Sequence, residues 1–176
     1  MMKKLAALLL AGIMCAGIFS GCGQKEETAG SDASSAVEMK EGQSVQTVVD
    51  QISDEIGIQM PADLDDTILK DMFYIDAAND VEAYAGKMSM TMTSADNLVA
   101  VKAKEGKKDT VVEALNKRLE DVRNTFEQYL PDQKEKAAKG QVIEKGDYVF
   151  LVIIGQDTET FDDDMARAQE IINAAF

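Results

Sequence analysis

The stretch Tyr148-Val149-Phe150-Leu151-Val152-Ile153-Ile154 decides the fold of the chain's C-terminal part. Seven consecutive apolar residues predict a strand with both faces buried, and therefore a central position in a sheet. Gly146-Asp147 forms a tight turn before it, and residues 141–145 form a short strand before the turn. We therefore expect an antiparallel hairpin here.

A second hairpin is predicted upstream. Met88, Met90 and Met92 alternate with Ser and Thr over residues 87–93, the pattern of a half-buried strand. The turn cluster Ser94-Ala95-Asp96-Asn97 follows, and residues 98–104 read as the partner strand.

An amphipathic helix follows each hairpin. The first begins at Asp109, carries core residues as far as Tyr129, and breaks or restarts at Pro131. The second begins near Thr160, which with Asp163 resembles a variant capping box. The two halves lie 50 residues apart and form a weak strand-strand-helix pseudo-repeat.

Helices are predicted before the first hairpin. Apolar residues recur at helical spacing from the N-cap Ser44 to Gly57. Asp63 is predicted to cap a short helix running toward Met72, and Asp76 another that ends near Gly86. The predicted fold class is α+β: two layers, with an antiparallel sheet of about four strands covered by helices.

The N-terminus reads as an export signal. Lys3 and Lys4 precede an uncharged apolar stretch over residues 5–19, and Phe19-Ser20-Gly21-Cys22 follows. This end resembles a bacterial lipobox, whose cysteine receives a diacylglyceryl group. The alternative is an uncleaved transmembrane anchor over residues 5–24. Both place the remaining chain outside the plasma membrane.

Three segments follow from the lipobox interpretation. Residues 1–21 are a lipoprotein signal peptide, residues 22–43 a flexible Gly-, Ser- and Glu-rich tether, and residues 44–176 a single α+β domain. Cys15 leaves with the signal and Cys22 is acylated, so the exported domain has no thiol chemistry. The predicted location is the outer face of the bacterial plasma membrane.

Composition excludes several functions. The chain of 176 residues has no histidine, which removes the commonest general base and every Ser-His or Cys-His catalytic pair. Its net charge of −14 argues against nucleic acid as a partner. Motifs for phosphate, dinucleotide or serine-hydrolase sites are absent from the sequence, and no cofactor is predicted.

A basic island is the one charged feature that suggests a ligand. It consists of Lys102, Lys104, Lys107 and Lys108 at the end of the second predicted strand. It is a candidate site for an anionic wall polymer or an acidic partner. The alternative, which we favour, is a solvated hairpin edge whose lysines prevent sheet-to-sheet association.

Two groups of residues have metal-ligand chemistry, but neither predicts a metal site. Five acids between Asp157 and Asp164 offer oxygen ligands for calcium, but acids are expected in a first helical turn. The three alternating methionines offer thioethers for copper(I), but the outer two of a strand face lie about 13 Å apart. Methionine filling a core face explains them better.

Several short motifs stand out between residues 65 and 176. They are Tyr74-Ile75-Asp76, Asp80-Val81-Glu82-Ala83-Tyr84, Ser94-Ala95-Asp96, Ala100-Val101-Lys102-Ala103-Lys104 and Gln128-Tyr129-Leu130-Pro131. On these motifs, about residues 65–176 resemble an uncharacterised family of Gram-positive surface lipoproteins, labelled domain of unknown function 4358. The resemblance implies export and lipidation, and it implies no reaction and no catalytic residues.

The predicted function is therefore a lipid-anchored, non-enzymatic binding or interaction module. Its partners are the membrane, through the lipid on Cys22, and an unidentified protein or wall polymer. The alternative is a hydrolase of cell-wall glycan that works with two carboxylates, although no acidic pair stands out in the sequence.

Overall fold

Residues 37–176 are described by a computed structural model and contain five strands and six helices. The strands are β1 (Pro61–Asp63), β2 (Val81–Ser89), β3 (Asn97–Ala103), β4 (Gln141–Lys145) and β5 (Tyr148–Ile153). The helices are α1 (Val45–Ile56), α2 (Asp66–Phe73), α3 (Ala77–Asp80), α4 (Lys108–Phe126), α5 (Pro131–Lys139) and α6 (Phe161–Ala174). The predicted signal peptide, its lipobox and residues 22–36 of the predicted tether lie outside the described residues.

The strands form one antiparallel sheet in the order β1-β2-β3-β5-β4. β5 is an interior strand, as its unbroken apolar sequence predicted, and every one of its residues is buried. Gly146 has a φ of 58° in the β4–β5 turn, a conformation that glycine adopts without a side-chain clash. The α+β class, the antiparallel sheet and its helical cover are thus confirmed, and β1 is a strand beyond the four expected.

Helices cover both faces of the sheet. Val149, Leu151 and Ile153 of β5 face one cluster, which includes the core residues of α2, α4 and α5. Phe150 and Val152 face the other cluster, with α1 and α6. Each hairpin is followed by its helix, as the pseudo-repeat predicted, but α4 and α6 pack on opposite faces. The domain therefore has three layers where the sequence suggested two.

The first helix begins as its sequence predicted. The Ser44 hydroxyl accepts a hydrogen bond from the Thr47 backbone N–H at 3.1 Å, and the Ser44 N–H donates to the Thr47 hydroxyl at 2.8 Å. This reciprocal pair satisfies two backbone donors at the helix start. Gly57 ends the helix, as predicted.

The strand predicted over residues 87–93 begins and ends earlier in the chain than expected. The helix that Asp76 caps is a single turn ending at Asp80, and β2 then runs from Val81 to Ser89. The side chains of Met90 and Met92 lie beyond the strand and are 62% and 94% exposed. The alternation of Met with Ser and Thr extends beyond Ser89, where β2 ends, because a period of two does not show where strand pairing stops.

Three smaller expectations were wrong. Asp65, not Asp63, caps α2, because Asp63 is paired in β1. Tyr129 is 72% exposed, because α4 ends at Phe126 and the chain turns before α5. Thr160 makes no capping hydrogen bond to the backbone of α6, since its hydroxyl donates to Asp164 at 2.9 Å.

Candidate functional site

The four lysines of the predicted basic island all have acceptors within residues 37–176. Lys104 donates to the carbonyl of Ala78, and the other three form ion pairs. The pairs are Lys102 with Glu38 at 3.3 Å and Glu82 at 3.2 Å, Lys107 with Asp80 at 2.9 Å, and Lys108 with Glu144 at 3.0 Å. Their charges are largely neutralised by neighbours, and a role for them in binding an anion or partner stays a prediction.

The turn between β2 and β3 carries a buried ion pair. The Lys136 ammonium lies 2.7 Å from Oδ1 of Asp96, and the two side chains are 4% and 1% exposed. Oδ2 of Asp96 accepts from the Ser94 hydroxyl at 2.8 Å and from the Gln59 backbone N–H at 3.1 Å. Both carboxylate oxygens are therefore satisfied, as a buried charge requires.

Further hydrogen bonds fix the same turn. Gln133 of α5 accepts from the Ala95 N–H at 2.9 Å, and the Asn97 amide donates to the Ala95 carbonyl at 3.0 Å. Oδ1 of Asn97 then accepts from Nε of Arg118 at 3.0 Å. The turn is thereby joined to α5 through a buried polar contact and to α4 through a partly buried one.

Arg118 differs from the other two arginines of residues 37–176. Arg123 lies 2.7 Å from Glu120 and Arg167 lies 2.7 Å from Glu55, whereas no described carboxylate lies within 4.0 Å of Arg118. Its guanidinium carbon sits 5.0 Å from the centroid of the Phe73 ring. Burial lowers the pKa of Arg118, and the charge of Asp121 opposes that shift. A guanidinium stays protonated under these conditions, so this is a half-buried cation without a direct counter-ion.

Arg118 faces an open cavity of about 240 Å³. We call it the arginine cavity. It is bounded by the end of β2, by the β2–β3 turn and by one side of α4. Its polar lining is Ser89, Thr91, Ser94, Asn97, Arg118 and Thr125, and its apolar lining is Met72, Met88, Met92, Val122 and Phe126.

A second open cavity of about 490 Å³ adjoins the first, and Met92, Thr125 and Phe126 line both. Tyr129 and Leu130 line its far side. Met60 and Met90 lie at the same end of the sheet, because the Met90 N–H donates to the Met60 carbonyl at 3.1 Å. We call the exposed group formed by Met60, Met90, Met92, Tyr129 and Leu130 the apolar tip.

Two residues of the apolar tip have a left-handed backbone. Met60 has a φ of 46° and Leu130 a φ of 45°. This conformation costs a side-chain-bearing residue roughly 1–2 kcal/mol. Strain of this kind collects at functional sites, and here it occurs where large apolar side chains are exposed.

A family model described as "Domain of unknown function (DUF4358)" matches residues 54–154. The chain belongs to the DUF4358 family. The match spans every strand of the sheet and helices α2 to α5, so the arginine cavity lies within the DUF4358 region. No curated protein and no solved structure matches the chain.

The acidic residues do not form an evident hydrolase or metal site within residues 37–176. Asp96 and Asp132 line a polar cavity of about 320 Å³, where a two-carboxylate hydrolase would need reactive acids. Asp96 is held by its buried ion pair and cannot reach a substrate without breaking it. Within residues 37–176 no group of three or more acids is arranged to hold a metal ion, and no helix combines the length and apolar content needed to cross a bilayer.

Sequence reasoning missed both the apolar tip and Arg118. The alternating pattern predicts a core face for Met90 and Met92, and helical spacing predicts a core face for Tyr129, whereas all three are exposed. Arg118 gave no signal of its own, since it follows Lys117 on a helix with many charged residues. The motif Ser94-Ala95-Asp96 marked the buried turn beside the cavity, although its role was visible only in three dimensions.

Proposed function

We propose that this protein is a lipid-anchored extracytoplasmic interaction module whose apolar tip binds an exposed segment of a partner protein. The observation that carries the proposal is the gathering of five exposed large apolar side chains at one end of the sheet. Single exposed apolar residues are ordinary, whereas several of them close together are typical of a binding surface. Met92, Tyr129 and Leu130 line one cavity, and Met60 and Met90 are joined by a backbone hydrogen bond.

The chemistry of the apolar tip favours an adaptable surface. Three of its five residues are methionines, whose unbranched thioether chains repack against different partners. Tyr129 adds a large ring with a polar hydroxyl, the combination enriched where proteins bind each other.

The shape and charge of the site favour a protein segment over two other occupants. Both cavities are open, whereas a small-molecule pocket buries most of its ligand. The chain's net charge of −14 opposes a close approach to anionic lipid headgroups. A protein segment needs neither an enclosed pocket nor a basic surface.

The anchor rests on the sequence of the first 22 residues. Phe19-Ser20-Gly21-Cys22 follows a basic start and an apolar stretch. The thiol of Cys22 would carry a diacylglyceryl group, and two acyl chains give stable attachment where one gives only marginal binding. The tip would then face the space outside the plasma membrane.

The anchor is tested with Cys22→Ser. We expect the wild-type protein to incorporate a radioactive fatty acid and to fractionate with membranes, and the variant to incorporate none. Cys15→Ser is the matched control and should behave as the wild type. Absence of label in the wild type, or a cytosolic protein with its leader intact, would overturn the assignment.

The tip is tested by selecting a random heptapeptide library on the purified full-length chain. Selected peptides should share large apolar residues, and Met92→Ser and Tyr129→Ser should each weaken their binding about tenfold or more, because each side chain buries apolar area on binding. Val37→Ser removes an exposed apolar side chain elsewhere and should leave binding unchanged.

Three results would contradict an interaction role of this kind. The first is a library without enriched sequences, and the second is binding that survives both tip substitutions. The third is a tip that instead binds phosphatidylcholine vesicles or a second copy of the chain, as shown by co-sedimentation of the unlipidated Cys22→Ser chain or by a concentration-dependent mass.

A further inference from the structure

The Arg118 guanidinium is fixed in place on one side and has donors left over on the other. Its Nε is fixed by Asn97, whose own amide is fixed by the Ala95 carbonyl, and the guanidinium plane lies near the Phe73 ring. Its terminal nitrogens Nη1 and Nη2 make no hydrogen bond within residues 37–176. A guanidinium presents its donors as a rigid fork, so fixing one nitrogen also orients the others.

Asp121 is the carboxylate whose charge acts on Arg118, but it does not form an ion pair with it. Asp121 accepts a hydrogen bond from the Tyr74 hydroxyl at 2.7 Å, and its carboxylate lies beyond 4.0 Å from the guanidinium. Asp121 influences Arg118 through its charge alone. The cation therefore retains the capacity for a direct ion pair.

A hydroxyl pair adds a donor to the same cavity. The hydroxyls of Ser89 and Thr91 lie 3.0 Å apart, and either one can donate to the other. Whichever donates, the second hydroxyl keeps its proton for another acceptor. The Ser94 and Thr125 hydroxyls donate to Asp96 and to the Asp121 carbonyl, so they offer no further proton.

We infer that the arginine cavity is the carboxylate-binding subsite of the proposed partner site. There, Arg118 and the Ser89–Thr91 hydroxyl pair bind a carboxylate of the partner segment. This inference rests on the proposed function and names the chemistry of the partner. Met92 and Phe126 line both cavities, so the carboxylate lies next to the apolar side chains that the tip binds. The segment recognised is an acidic group beside a large apolar residue.

Carboxylate and guanidinium match in geometry as well as in charge. Arginine binds carboxylates with two parallel N–H···O bonds, which are stronger than bonds between neutral groups. The partly desolvated setting of Arg118 increases this preference, because the competing water is reduced. A neutral amide in the same place offers a single carbonyl oxygen, so it cannot form the paired bonds and leaves the cation without a counter-ion.

The test uses N-acetyl-L-leucine, which joins a carboxylate to an apolar side chain, and its neutral counterpart N-acetyl-L-leucinamide. The full-length chain is labelled with ¹³C at its methionine methyl groups and titrated by NMR. Met72, Met88 and Met92 line the cavity, whereas Met39 and Met165 pack in the cluster on the other face and serve as internal controls.

We expect the acid to shift the three cavity methyl signals with saturation and to leave the two control signals in place. The amide should bind about tenfold more weakly, because the ion pair with Arg118 and its second acceptor oxygen are lost. Arg118→Met should remove this preference, and Arg118→Lys should keep part of it. Arg167→Met, which removes an arginine paired with Glu55 on the other face, should leave the ratio unchanged.

Equal binding of the two probes to the wild type would overturn the inference, and so would shifts confined to Met60 and Met90. Should Arg118→Met not fold, the ratio of the two probes on the wild type still decides. The experiments distinguish a failure of the carboxylate subsite from a failure of the proposed function. Peptide binding lost in Met92→Ser without any acid preference would refute the subsite alone, whereas an acid preference with no tip-dependent peptide binding would refute the interaction role.

Discussion

The buried pair of Lys136 and Asp96 is the contact with the greatest consequence for a single side chain. The two charges come from residues 40 positions apart and lie 2.7 Å from each other. Removing them from water is costly, and their attraction together with the bonds from Ser94 and Gln59 offsets that cost. The pair fixes the β2–β3 turn against α5.

Lys136→Met therefore leaves the Asp96 carboxylate buried without its cation. We expect the free energy of unfolding to fall by about 3–5 kcal/mol, measured by urea denaturation. The matched control is Lys134→Met, an exposed lysine on the same helix, which should change stability by less than about 0.5 kcal/mol. A loss below about 1 kcal/mol for Lys136→Met would mean that Asp96 is compensated by another group.

At this scale the sequence predicted some roles and missed others. Ser44 as the cap of α1 and Asp76 as the cap of α3 were predicted, because a cap acts within four residues. Lys136 and Arg118 look alike in sequence, since both are basic residues on amphipathic helices. Only their neighbours from distant segments make one a buried ion and the other an unpaired cation.

Helix α1 depends on its first turn. It packs five buried apolar residues on the sheet face that it shares with α6, and it carries no acidic residue in its first turn to favour the helix dipole. The hydrogen bonds between Ser44 and Thr47 are thus its main terminal stabilisation.

Ser44→Ala should lower the free energy of unfolding by about 1 kcal/mol, because the N-terminal donors of α1 lose their acceptor. Ser44→Asp keeps an acceptor at the cap and should retain the wild-type stability. Both are measured by thermal unfolding followed by circular dichroism. Equal stability of the three proteins would show that the capping hydrogen bonds contribute nothing net.

Element boundaries that depend on local residues were predicted, whereas those that depend on pairing between distant segments were not. The β4–β5 hairpin and a break or restart of the helix at Pro131 were predicted, because glycine and proline restrict the local backbone, and the structure shows a new helix, α5, starting there. The start of β2 was missed. Val81 to Tyr84 become strand because they pair with β3, whose Ala103 and Val101 face them, and such pairing is not visible in local periodicity.

At the scale of the whole molecule, residues 37–43, with which the described chain begins, are attached to the domain by hydrogen bonds and an ion pair. The Lys40 N–H donates to the Ala175 carbonyl at 2.8 Å. The Glu38 carboxylate accepts from the Tyr148 hydroxyl at 2.7 Å and pairs with Lys102 at 3.3 Å. This segment lies within the predicted tether, so its attachment bears on how far the domain can move from an anchor.

The contacts of Glu38 predict that this attachment weakens in acid. The hydrogen bond from Tyr148 and the pairing with Lys102 lower the pKa of Glu38 below its usual value of 4.5. A carboxyl whose pKa is lowered in the folded state stabilises that state at any pH above its ordinary pKa of 4.5. The contribution is lost as the pH falls through the lower pKa of the folded state.

We therefore expect amide hydrogen exchange in residues 39–43 to be slower at neutral pH in the wild type than in Glu38→Gln. The difference should disappear as the pH is lowered below 4.5. Comparing the two proteins at each pH removes the intrinsic pH dependence of exchange. Glu41→Gln, a change at an exposed neighbour, should match the wild type throughout. Equal exchange in all three proteins would mean that Glu38 does not hold the segment.

The sequence by itself determined the class of the fold and its interior strand. Seven apolar residues in a row require burial on both faces, and turns at Gly146 and at Ser94 to Asn97 require hairpins. These conclusions depend on local backbone preference and on the period of apolar residues, and both properties belong to the chain before it folds.

Only the tertiary structure decided where the helices pack and which side chains remain exposed. Periodicity marks an apolar face but does not say which element covers it, so α4 and α6 could be placed on opposite faces only in three dimensions. The same reason separates Met88, which is buried, from Met92, which is exposed on the apolar tip. Whether Arg118 has a counter-ion likewise depends on the positions of distant carboxylates, which packing sets and local sequence does not.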